Sequence, residues 1–145
     1  MKVSTKGRYA LRLMVDIAVY DVGEYIPLKA VSERQNITLK YLEQIVTLLS
    51  KAGYLKSSRG SSGGYRLARP ASEYSVGDIL RATEGSLAPL TCIEDAPNQC
   101  ERSNICATLP FWNGLNKVVN EYVDSFTLQA LVDNYKNLSG NDYSI

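Results

Sequence analysis

The chain holds three cysteines, Cys92, Cys100 and Cys106, all inside one fifteen-residue window with the spacing C-x7-C-x5-C. Thiolates are soft ligands, and three on one short segment supply three of the four positions that an iron-sulfur cluster or a zinc ion takes. An odd number cannot close into a full set of intrachain disulfides, so metal or redox chemistry is favoured over stapling. A closed structural zinc site asks for a fourth cysteine or a histidine, and the chain has no histidine. A cluster completed by a carboxylate, an amide, water or a small thiol suits this donor set better. Three reduced thiols with no cofactor is the plainer alternative.

The missing histidine also removes the commonest general base and every Ser-His or Cys-His nucleophile pair. No Cys-x-x-Cys pair points to a dithiol oxidoreductase. The expectation is therefore a protein that is not an enzyme.

Charge supplies a second set of candidates. Residues 1–70 carry 12 Lys and Arg against 5 Asp and Glu, whereas residues 71–145 carry 4 against 10, so the net charge of +1 conceals a basic half and an acidic half. A basic half suggests a polyanion such as double-stranded DNA. Within it, Gln44 can pair with adenine, Lys40 can reach guanine or phosphate, and Glu43 can accept from cytosine. Thr38 and Tyr41 can bind phosphate oxygens. Arg59 stands at the tip of a glycine-rich turn and suits a narrow minor groove. Lys2, Lys6, Arg8 and Lys56 are diffuse phosphate contacts. For any one of these residues, a solvated polar surface is the competing reading.

The elements that must position these side chains follow from apolar spacing. Ala10, Leu13, Met14, Ile17 and Ala18 draw one stripe on a helix over residues 5–20. Pro27 opens a short second helix ending near Gln35 and Asn36. Thr38 then caps a third helix whose stripe is Leu39, Leu42, Ile45, Val46 and Leu49, with Gly53 placed for a left-handed stop. Tyr54–Ser58 and Tyr65–Leu67 read as two short strands around Arg59–Gly64. Residues 75–84 predict a fourth helix closed by Gly85, and Leu87–Thr91 a short extended segment. Residues 92–107 have no period.

Beyond that loop, Trp112, Leu115, Val119, Tyr122 and Phe126 recur in alternating steps of three and four, widened by Phe111, Val118 and Val123. This is a short coiled-coil seam on a helix about 24 Å long. It predicts a homodimer, with part of the stripe facing the partner and part facing the first helix. Residues 127–133 add a helical turn or two, and Ser139–Ile145 reads as a loose tail. The fold class expected is mostly α with a small β-wing: a winged helix-turn-helix plus a long dimerisation helix.

The segments STKGRYALRLMVDIA, LKAVSERQNITLKYLEQIVTLLSKAGYLKSSRGSSGGYRLAR and SVGDILRATEG, followed by the cysteine spacing, resemble the IscR branch of the Rrf2 family of winged-helix regulators. That family also has a nitric-oxide-sensing branch, NsrR, and a cysteine-metabolism branch, CymR. The resemblance covers residues 1 to about 133. It implies a homodimeric transcription regulator of iron-sulfur biogenesis genes that reads an operator and carries a cluster, typically [2Fe-2S], on its cysteine loop. By position, it places Thr38, Lys40, Tyr41, Glu43, Gln44, Arg59 and Gly60 at DNA and Cys92, Cys100 and Cys106 at iron.

The sequence departs from the pattern at the fourth ligand. The IscR branch has a histidine three residues after the last cysteine, where this chain has Leu109. NsrR uses an aspartate near the N-terminus, where this chain has Arg8. Glu94, Asp95, Gln99, Glu101 or a residue of the partner subunit are open as the fourth donor.

The expected organisation is a DNA-binding domain over 1–85, a cluster-binding loop over 86–107, a dimerisation region over 108–133 and a tail over 134–145. No apolar run approaches the roughly 20 residues that span a bilayer. The N-terminus lacks an apolar signal core, so a soluble cytoplasmic protein is expected.

Overall fold

In the computed structural model, which describes residues 2–141, the chain is mostly helical with one two-stranded antiparallel sheet. Helix α1 spans Thr5–Val19 and begins where the Ser4 hydroxyl accepts from the Gly7 amide. Its Ala10, Leu13, Met14 and Ile17 are fully buried, as the apolar stripe requires. Helix α2 is Leu28–Gln35, and it ends at Asn36 in the left-handed conformation with φ +53°. Asparagine tolerates that region better than other side-chain-bearing residues, so the chain can reverse and start helix α3, Leu39–Lys51, capped by Thr38.

Leu42, Ile45, Val46 and Leu49 of α3 are buried, but Leu39 is exposed, against expectation. It is the first helical residue and stays 42% exposed, although Ile37 just before it is buried. Gly53 takes φ +79° and stops the helix as expected.

The wing consists of β1, Leu55–Ser58, and β2, Gly64–Leu67, paired in the register Leu55↔Leu67, Lys56↔Arg66, Ser57↔Tyr65 and Ser58↔Gly64. Ile26, just before α2, exchanges two backbone hydrogen bonds with Tyr65, at 3.0 and 2.9 Å, and so ties the wing to the helical body. Gly64 makes this possible. Its φ is +153°, and a Cβ there would overlap the Ile26 carbonyl.

Helix α4, Val76–Glu84, starts from a capping box in which Ser75 and Asp78 satisfy each other's backbone amides. Its Ile79 and Leu80 join the core. The far end of α4 reaches back to the start of α1, where the Glu84 carboxylate accepts from the backbone amides of Ser4 and Gly7 at 3.1 and 2.9 Å and from the Ser4 hydroxyl. A carboxylate at a helix N-terminus satisfies orphan amides and complements the helix dipole.

Leu87–Thr91, expected as a short extended segment, is coil, extended at Leu90 (φ −136°, ψ 144°) and leading into a 3-10 turn at Thr91–Ile93. Helix α5 runs Leu109–Ser125 and contains no buried residue. It packs on α4, whereas the helix that meets α1 is the last one, α6, Leu128–Asn141. The expected contact between α5 and α1 is thus made mainly by α6.

Helix α6 is also longer than the turn or two expected, so residues 134–141 are helical; of the anticipated tail, residues 142–145 lie outside the described residues. Leu128 and Val132, one turn apart, are buried against the core and anchor it.

Among the described residues, Asp16 is the one acidic group in the core. Its side chain is fully buried and accepts from Arg34 Nε at 3.0 Å, Arg34 Nη2 at 2.6 Å and Gln35 Nε2 at 2.9 Å, joining α1 to α2. Arg34 also stacks 3.9 Å from the Tyr20 ring centre. Removing one partner of a buried pair strands the other charge. Asp16→Ala is therefore expected to cost about 3 kcal/mol in urea unfolding, near the low end for buried pairs because the Arg34 head is partly solvated. The double change Asp16→Leu with Arg34→Met should be less destabilising than Asp16→Ala alone.

Candidate nucleic-acid interface and cysteine loop

The buried stripe of α3 turns the opposite side of the helix outward. Lys40, Glu43, Gln44 and Thr47 share that exposed side at i, i+3, i+4 and i+7. Thr38 is exposed too, but its hydroxyl is engaged as the N-cap, accepting from the Tyr41 amide at 3.3 Å. Tyr41 is half-buried, its ring edge-on to Tyr9 at 5.5 Å. Both residues therefore have structural work in addition to any contact with a ligand.

Arg59 and Gly60 are exposed in the turn between β1 and β2, where Gly60 takes φ +103° and its carbonyl accepts from the Gly63 amide at 3.0 Å. The wing follows α3 through Gly53 and Tyr54, whose amide donates to the Leu49 carbonyl at 2.9 Å. The helix and the wing are consequently held to one body, with the polar candidates on solvent-facing surface of both.

The cysteine loop is built differently. Cys92 lies in the turn Thr91–Ile93, Cys100 just before the turn Ser103–Ile105, and Cys106 immediately after it; all three are half-buried free thiols. Local bonds hold the loop. Asn98 Oδ1 accepts from the Cys100 amide at 2.8 Å, and the Cys100 carbonyl accepts from the Ser103 amide at 3.0 Å.

Among the described residues no three Cys, Asp or Glu side chains converge as a metal site. The thiols suit an iron-sulfur cluster in kind, but they stand apart. Glu94, Asp95, Gln99 and Glu101, the open fourth donors, are all exposed, and the Gln99 amide donates to the Pro97 carbonyl at 2.9 Å.

Sequence reasoning missed Thr108. Its hydroxyl lies 3.4 Å from Cys106 Sγ, and together with the Thr108 backbone amide it holds the Cys106 thiol below its ordinary pKa, with a smaller contribution from Arg102. The signal available was a hydroxyl residue two positions after a cysteine at a helix start.

The loop is joined to the body through α4 and α5. Arg81 of α4 donates to both Asp124 oxygens, at 2.8 and 3.0 Å, and to Asn120 Oδ1 at 2.7 Å, all on α5. The Arg81 guanidinium draws the Asp124 carboxyl below its usual range. This link is present at neutral pH and is lost as acid protonates Asp124.

A winged helix-turn-helix followed by a long helix under a cysteine loop is the architecture of a DNA-binding transcription regulator. The chain belongs to the Rrf2 family, whose model, described as an iron-dependent transcriptional regulator, matches residues 3–134. It is 37% identical to the HTH-type transcriptional regulator IscR of Vibrio atlanticus over 98% of this chain and 81% of that protein. The structure of CymR, the global cysteine regulator of B. subtilis, superposes with a TM-score of 0.75 at 35% identity, covering 92% of this chain and 98% of that one. IscR of T. potens superposes with a TM-score of 0.74 at 37% identity, covering 93% and 88%. These relatives are regulators and not enzymes. No helix among the described residues is long and apolar enough to cross a membrane.

The lowered Cys106 pKa has a chemical consequence. In reduced, metal-free protein, iodoacetamide is expected to modify Cys106 at a lower pH midpoint than an ordinary thiol, because the thiolate is the nucleophile. Thr108→Val should raise that midpoint and slow the reaction near neutral pH. Peptide mapping that finds no change in Cys106 labelling in the variant would contradict the role given to Thr108.

Proposed function

We propose that this Rrf2-family regulator binds operator DNA as a homodimer, through the exposed side of α3 and the wing, and senses iron-sulfur or redox status through Cys92, Cys100 and Cys106. The observation that carries the reading is the joining of two surfaces with separate chemistry. One is an exposed polar helix face and wing in the basic half; the other is a three-thiol loop leading into a helix with no buried residue.

On the DNA side, Lys40, Glu43 and Gln44 supply base-edge donors and acceptors, Thr38 and Tyr41 reach phosphates, and Arg59 with Gly60 enters the minor groove. A major groove about 12 Å wide admits one helix. Replacing Gln44 or Arg59 with Ala should weaken operator binding by about 1–3 kcal/mol, the worth of one good hydrogen-bonded base pairing. Quantitative footprinting on operator and random duplex checks this. Equal weakening on both duplexes would reassign the residue to phosphate.

For the dimer, Phe111, Val118 and Tyr122 on α5 are 64%, 62% and 64% exposed, while Trp112, Leu115, Val119 and Val123 are only half covered. A second copy pairing along α5 buries the exposed side. On the sensing side, Cys92, Cys100 and Cys106 would hold a cluster, most simply [2Fe-2S], which supplies a group responsive to iron and oxidants. Drawing the three thiols together reshapes residues 92–107. Those residues lie between α4, packed on α1 and α3, and α5, so operator geometry follows loop order.

A cluster-free thiol regulator is the second reading, favoured by the separated thiols and by the lowered Cys106 pKa. One experiment separates the two: iron, acid-labile sulfide and molar mass measured together on protein purified without oxygen. Two irons and two sulfides per chain on a dimer are expected, lost when Cys92, Cys100 or Cys106 is changed to Ala. Val118→Asp should shift the mass toward the monomer. Iron-free protein under those conditions would move the sensing role to the thiols and leave the DNA-binding role intact.

A further inference from the structure

The hairpin register sets Lys56 directly opposite Arg66. Strand alternation puts this pair on the wing face away from buried Leu55. Like charges facing each other across two strands oppose the pairing, yet nothing on the wing itself separates them.

Both residues line a cavity of about 330 Å³ between the wing, the end of α1 and the Arg69–Ala71 segment. Arg69 also lines the cavity, and its guanidinium lies over the rings of Tyr54 and Tyr74 at 5.4 and 4.7 Å. The one lining carboxylate is Asp21, whose Oδ1 is 3.3 Å from Arg66 Nη2 and also accepts from the Gly23 amide at 3.0 Å.

Arg66 Nε is buried and has no hydrogen-bond partner among the described residues. An unpaired buried donor is destabilising. Three cations against one carboxylate leave a surplus that a dianion balances and a monocarboxylate does not. The remaining lining is small and aliphatic, Ala18, Leu67, Ala68 and Ala71 among it, with no aromatic face on which a nucleobase would stack.

We propose that this cavity is a phosphate-binding site, in which Lys56, Arg66 and Arg69 donate to the oxygens of one phosphate group. Planar guanidinium forks and a lysine ammonium are the donors that phosphate oxygens select. The group is carried either by a small molecule or by a nucleic-acid backbone, and only the second source rests on the DNA-binding reading above.

The test uses the full chain. Inorganic phosphate is titrated at constant ionic strength against chloride, with thermal unfolding as the readout, since a ligand of the native state raises the midpoint saturably. Lys56→Gln, at an exposed position, should weaken phosphate binding by about tenfold or more. Asp21→Asn keeps the Oδ1 acceptor while removing the opposing charge, so it should tighten binding. That opposite sign is one a mere loss of fold does not produce.

In parallel, the salt dependence of duplex binding is measured for wild type and Lys56→Gln. A log–log slope flattened by about 0.9 marks a backbone phosphate. An unchanged slope with a saturable phosphate response marks a small-molecule ligand. No phosphate response beyond chloride together with an unchanged slope overturns the site, as does weaker phosphate binding in Asp21→Asn.

Discussion

Attachment of α5 to α4 is the constraint on which the arrangement of this molecule depends. Helix α5 buries nothing completely, so the usual source of helix stability in a folded protein, an apolar face packed away from water, is incomplete within one chain. What holds it is mostly polar and local. Arg81 grips Asp124 and Asn120, and the Val76 amide donates to the Phe126 carbonyl at 2.8 Å. The Leu128 amide donates to the Tyr74 carbonyl at 2.9 Å, which closes the joint. A Cβ at Gly77 would overlap the Asp124 carboxylate and crowd Arg81 and Val123, so a larger residue there would displace the pair that joins the helices.

That joint divides the molecule by stability. On one side, Leu13, Met14, Ile17, Leu42, Ile45, Leu49 and Ile79 form a core in which each fully buried side chain contributes about 1.5–3 kcal/mol. The helix-turn-helix and the wing are built on that side, so the exposed polar face of α3 rests on the well-packed part. On the other side, the cysteine loop is held by short-range hydrogen bonds and the Arg81 ion pair is partly solvated, which makes it worth little in isolation. The proposed sensing role asks for rearrangement at modest energetic cost, and the loop and α5 are segments that hold no buried residue.

Elements whose determinants lie close together along the chain were legible in advance. The stripe of α1, the Thr38 cap, the Gly53 stop, the hairpin and the helix closed by Gly85 each depend on residues within a turn or two of one another. Errors fell where a distant partner decides. Leu39 fits the α3 stripe but stays exposed at the helix start. Helix α6 looked short because residues 133–138, all exposed, are mostly polar; its anchors, Leu128 and Val132, lie in its first half. Asp16 sits among apolar residues, and its role depends on Arg34 and Gln35 in the next helix.

By itself the sequence determined the helix order, the wing, the polar face of α3, the three-cysteine segment and the charge division between halves, because periodicity, capping and composition are local properties. Tertiary structure alone decided that α6 covers α1 more than α5 does, that Glu84 caps a helix some eighty residues away, that the three thiols do not converge as a metal site, and that Lys56, Arg66 and Arg69 line one cavity. Each of these is a relation between residues that the linear order of the chain leaves open. Their energy depends on shape and charge at a meeting place that no single stretch of residues encodes.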